Sequence, residues 1–175
     1  MIPAVSQTLA RIIASQTSLD TVQQVSFDLP QRIWSQPAGV NLYVYDVRPN
    51  NCELNCSVGP ESDETIADWI EPPGWHQQVE ILFLVVARDW TRLGEQQLLS
   101  EVIAYFARHS EIPEDGLVPA LRGYGSVAIE IAQPMDVVAL WQALEVPLQP
   151  ALYLKVTVPL GELSVCEQSE VLKAL

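Results

Sequence analysis

Apolar side chains occupy both alternating sets of one stretch, residues 79–89, reading V-E-I-L-F-L-V-V-A-R-D. Val79, Ile81, Phe83, Val85 and Ala87 fall on one side of an extended strand, and Leu82, Leu84 and Val86 on the other. Such a strand belongs inside a sheet with cover above and below. Its β-branched and aromatic content, and the Pro72-Pro73-Gly74 before it, favour strand over helix. It is therefore the predicted central strand.

Helical periodicity appears first at the N-terminus, where Val5, Leu9, Ile12 and Ile13 form one stripe and Pro3 suits a first turn, predicting a helix over 3–17. Residues 22–27 read as a short strand closed by Leu29-Pro30, and 40–48 as a second strand in which Leu42 and Val44 alternate with Tyr43, Tyr45 and Val47. Between Pro49 and Gly74 the chain turns polar, which predicts a long loop. The strands at its two ends should then pair antiparallel. After the central strand, Leu93, Leu98, Leu99, Val102, Ile103, Tyr105 and Phe106 mark a helix over 92–109 with Thr91 as N-cap. Prolines and glycines from Pro113 to Gly123 read as loop, Ser126 to Ala132 as a strand with Val127, Ile129 and Ile131 facing the core, and Pro134 and Asp136 open a short helix. The last element, 151–158, alternates strictly: Leu152, Leu154, Val156 and Val158 against Tyr153, Lys155 and Thr157. That pattern predicts a strand buried on one side only.

Composition sharpens this. The chain has 175 residues, 49% of them apolar, enough for one domain with a substantial core. We expect a single domain over 1–165, an acidic loop at about 50–74 and a tail at 166–175. Nine Lys plus Arg against 22 Asp plus Glu give a net charge of −13, which disfavours nucleic acid and anionic membranes as partners. No apolar run reaches the ~20 residues of a membrane helix, and no signal-peptide pattern opens the sequence. Direct membrane insertion is not expected and a cytoplasmic location is.

Chemistry is sparse. Cys52 and Cys56 could seat one side of a metal site, yet His76 and His109 are isolated and Cys166 is distant, so neither metal nor cofactor is expected. His76, Asp46 and Asp89 lack partners at a catalytic spacing, and no phosphate loop, nucleophile elbow or H-E-x-x-H occurs. The acidic cluster Glu61, Asp63, Glu64, Asp68 and Glu71 reads first as a solvated face, as does Tyr153-Lys155-Thr157, though both qualify as interface candidates. Two functional classes stay open on the residues alone: a structural subunit, and a small α/β enzyme or ligand-binding domain.

Three stretches change that balance: N-L-Y-V-Y-D-V-R at 41–48, W-H-Q-Q-V-E-I-L-F-L-V-V-A at 75–87, and L-W-Q-A-L-E-V-P-L-Q-P-A-L-Y-L-K-V-T-V-P-L at 140–160. In this order they resemble the tail-terminator, or cap, proteins of extracellular contractile injection systems, themselves similar to contractile phage tail terminators. The N-terminal helix, Phe27-Asp28 with Pro30, and R-L-G-E-Q-Q-L-L at 92–99 fit as well. The chain departs from that pattern in a 52–68 insertion and in Gln149, where an arginine is expected. The resemblance implies an α/β (α+β) fold, a mixed sheet covered by helices, and a non-enzymatic cap that ends the inner tube and sheath as a hexameric ring within the assembled particle. Partners would be the chain itself, the tube protein and the sheath protein. Contacts are expected on the polar face of the last strand, at Tyr153, Lys155 and Thr157, and at the charges of Arg48, in the turn after Asp46, and Arg88.

Overall fold

The computed structural model describes residues 1–30, 38–52, 76–123, 125–134 and 136–162. Helix α1 (Ile2–Gln16) leads through a 3-10 turn into β1 (Val25–Ser26), followed by β2 (Gly39–Cys52), β3 (His76–Arg88) and α2 (Arg92–Phe106). Then come β4 (Glu111–Ile112), two 3-10 turns, β5 (Val127–Ile131), α3 (Val137–Ala143) and β6 (Leu152–Glu162). The six strands form one sheet in the order β1-β2-β3-β6-β5-β4. Only β1 and β2 run parallel, so the sheet is mixed. The α+β architecture matches the expectation.

Strand β3 lies inside the sheet, between β2 and β6. Ile81, Phe83 and Val85 are fully buried towards α1 and α2, and Leu84 and Val86 are buried on the opposite side. The expected antiparallel pairing of β2 with β3 is present, but both strands run longer than the apolar pattern, to Cys52 and from His76. Mutual pairing satisfies the backbone there, so polar residues can continue the ladder. A β-bulge between Val44 and Asp46 inserts Tyr45 as an unpaired residue. The bulge reverses the alternation: Val47 lies opposite Ile81, on the helix-covered side, rather than beside Tyr43 and Tyr45.

Several expectations need correction. Residues 22–24 form a 3-10 turn with a Thr21–Gln24 capping box, leaving only Val25–Ser26 as strand. In α2, Leu98, Leu99, Val102 and Phe106 face the core, whereas Leu93 is 77% exposed and Ile103 also points outward. Ile131 ends β5 half exposed at the sheet corner, although Val127 and Ile129 are buried as expected. The 110–125 segment holds the short strand β4 and two 3-10 turns rather than loop alone. It is tied to α1 by Thr8, whose buried hydroxyl donates to the Ala4 carbonyl at 2.9 Å and accepts from the Val118 amide at 3.3 Å.

Caps behave as the sequence indicates. Thr91 Oγ1 accepts from Gly94 N at 2.9 Å, and Asp136 Oδ1 from Ala139 N at 2.9 Å. Past α3, Glu145 adopts a positive φ of 55°, alone among the described non-glycine residues. Cys56 and the Glu61–Glu71 cluster lie outside the described residues.

Candidate interaction surface

The two faces of the sheet differ in cover. On one, α1 and α2 seal an aliphatic layer that includes Val40, Leu42, Phe83, Leu154, Val156 and Val158. On the other, among the described residues, only the short α3 and the segment after it lie against the sheet, around Leu84, Val86 and Trp141. That second face carries the side chains of Tyr43, Tyr45, Arg48 and Asn50 from β2, Glu80 from β3, and Tyr153, Lys155 and Thr157 from β6. It is the candidate surface.

Its apolar end is ordered by one hydrogen bond: Trp141 Nε1 donates to the Tyr153 hydroxyl at 2.8 Å. Tyr45 stands edge-on to Tyr153, with ring centroids 6.4 Å apart and planes at 89°. Tyr45 keeps the side of Tyr43 while the bulge brings Asp46 and Arg48 onto the same face, and the buried Tyr45 hydroxyl has no hydrogen-bond partner among the described residues. Burial raises the Tyr45 phenol above its ordinary pKa, with Arg48 nearby acting in the opposite direction.

The polar end is a ladder of charges. Lys155 Nζ lies 2.7 Å from Glu130 Oε2 across β5–β6 and 3.8 Å from Glu80 Oε1 on β3. Glu80 in turn accepts from Asn50 Nδ2 at 3.1 Å. The hydrogen bond with Glu130 holds the Lys155 ammonium above its ordinary pKa, with further help from both carboxylates and burial opposing. A trough of about 740 Å³ runs over this end, lined by Glu80, Glu111, Glu130, Lys155 and Thr157 among others. Arg48 is exposed and pairs with Asp46 at 2.6 Å.

The structure thus gathers Tyr153, Lys155, Thr157 and Arg48 on one face and sets Arg88 apart. Arg88 ends β3, is 8% exposed, and lies 3.7 Å from Glu95 on α2. It borders a separate cleft of about 460 Å³ between the first turn of α2 and the Val146–Pro150 segment. Tyr45, Glu80 and Glu130 were missed by sequence reasoning, as was the bulge that carries Arg48 onto this face. A bulge leaves no mark in an alternating pattern, and an ion pair across two strands needs the strand order, which only the fold supplies. Among the described residues no group of His, Cys, Asp and Glu is placed to hold a metal ion.

The α+β fold is shared with solved tube terminators of contractile injection systems. The chain is similar to the sheath/tube terminator of the extracellular contractile injection system PVC in its extended state, with 16% identity, a TM-score of 0.59, and coverage of 91% of this chain and 56% of that one. It is also similar to the tube-terminating cap of the anti-feeding prophage, with 17% identity, a TM-score of 0.53, and coverage of 91% and 54%. This chain spans little more than half the length of either. No curated protein matches it. Residues 4–169 match the Pvc16 N-terminal domain, and the chain belongs to that family.

Proposed function

We propose that this protein is a structural, non-enzymatic terminator subunit that ends the inner tube and sheath of a contractile injection system. The observation that carries the reading is the family match across residues 4–169, joined to a fold shared with two solved tube terminators. In this reading the subunit works as a hexameric ring in the cytoplasm, as part of the assembled particle, with self, tube and sheath as its partners. Tyr153, Lys155, Thr157 and Arg48 supply the contact face. The chemistry of the surface favours this role: fixed aromatic rings and charges held in partly buried ion pairs suit recognition of a protein surface.

A strain lacking this protein should make particles of uncontrolled length or with unstable sheaths, seen by electron microscopy. Particles of normal length and stability from that strain would reject the reading.

A further inference from the structure

Two charged features among the described residues have opposite signs and sit at different ends of the sheet. The cleft at the C-terminal end of β3 presents Arg88 and Arg92 against one carboxylate, Glu95. Arg92 leads, because its side chain is 81% exposed while Arg88 lies behind it. The trough near the other end presents Glu80, Glu111 and Glu130 against one ammonium, Lys155. The cleft begins six positions beyond Glu80 along β3, at Val86, about 20 Å at strand rise.

Two further observations point to the cleft as a docking site. Gln149 lines it with a buried Nε2 that has no acceptor among the described residues, a donor that a carboxylate would satisfy. Leu148, which also lines the cleft, is 64% exposed, and Trp90 and Leu93, flanking Arg92 in sequence, are each 77% exposed. Exposed tryptophan and leucine beside an arginine supply the apolar area and the charge that interface hot spots combine.

We infer that the arginine-bearing rim of the α2 cleft on one copy of this chain docks on the carboxylate-bearing rim of the trough on the next. The contact rests on the ring-forming reading above and gives it a location. Because the two patches are different surfaces of one molecule, the contact is heterologous: an open chain of copies keeps one free cleft at one end and one free trough at the other until it closes. The net charge of −13 opposes association at long range. At physiological salt, where screening acts over about 8 Å, that repulsion fades faster than the close Arg92–carboxylate contact.

A charge exchange tests this. Arg92→Glu leaves a subunit with an acidic cleft and an acidic trough, whereas Glu111→Arg/Glu130→Arg gives a basic cleft and a basic trough. Sedimentation velocity at rising concentration and physiological salt should show each variant alone self-associating about ten-fold or more weakly than wild type. An equimolar mixture should regain assembly, since each cleft then meets a trough of opposite sign. Gln149→Glu, which places a carboxylate inside the cleft, should weaken assembly in the same way and serves if a reversal variant melts below wild type. Either variant assembling alone like wild type, or a mixture that stays apart, would overturn the contact. A wild-type chain that stays monomeric throughout would overturn it too, while the terminator reading is judged separately by particle length in the deletion strain.

Discussion

The helix-covered and open faces of the sheet are made by the same three strands, β2, β3 and β6, and solve opposite problems. On the covered face nearly every inward residue is aliphatic or Phe83, so burial and close packing stabilise the fold. On the open face, beyond the small Leu84–Val86–Trp141 cluster, tyrosines and polar side chains dominate, and their ion pairs contribute little to folding. Stability is concentrated on one side, which leaves the composition of the other free to serve contact.

Substitutions that act on one face at a time would break or sharpen this division. Phe83→Ala removes a fully buried ring from the covered face and should lower stability by about 3 to 5 kcal/mol in denaturant titration. A loss below about 1 kcal/mol would mean that the layer under α1 and α2 does not hold the domain. Thr8→Val should come next, at about 1 to 3 kcal/mol, because it leaves the Val118 amide buried without its acceptor. Glu145→Gly should raise stability by up to about 1 kcal/mol, since glycine meets no Cβ conflict at φ 55°; a drop in melting temperature would show that the Glu145 side chain contributes more than its backbone strain costs.

Lys155→Ala, on the open face, should change stability by less than about 1 kcal/mol. Its signature lies in pH. The folded state raises the Lys155 pKa, so its contribution is complete at neutral pH and is lost as the pH rises through the folded pKa. Wild type and Lys155→Ala should therefore converge in stability at strongly alkaline pH. Glu101 makes the converse case. A hydrogen bond from Gln97 lowers its pKa, with the Ser18 amide adding to the effect at 2.8 Å, so its contribution is present at neutral pH and lost as the pH falls through the carboxylate range. Glu101→Gln should flatten that acid limb, and an unchanged acid titration would remove Glu101 from the account.

Much of this was readable from residue order. The double-sided apolar run placed β3, and strict alternation placed both faces of β6, because burial imposes period two on a strand whatever its neighbours. Leu93 and Ile131 misled for a related reason: an apolar residue in phase with a core stripe still needs a facing element, and at a helix start or a sheet corner there is none. Of the candidate contacts, Tyr153, Lys155 and Thr157 followed from alternation alone. Arg88 did not, since its cleft is made by residues more than fifty positions later in the chain. The Glu80–Lys155–Glu130 ladder depends on β6 lying between β3 and β5, an order that local pattern cannot encode.

Strands β2 and β6 each carry a proline at nearly the same level of the sheet, Pro49 opposite Val79 and Pro159 opposite Gln78. A proline is tolerated within a ladder where its nitrogen faces away from the paired strand. Beyond Asn41 on β2 and Thr157 on β6, where β1 and β5 stop pairing, each outer strand of this three-stranded ribbon carries one residue with no N–H to donate. A foreign strand trying to extend the sheet would miss a hydrogen bond on either side. The exposed edges of the ribbon are thereby guarded against zipping with other copies into open-ended fibrils.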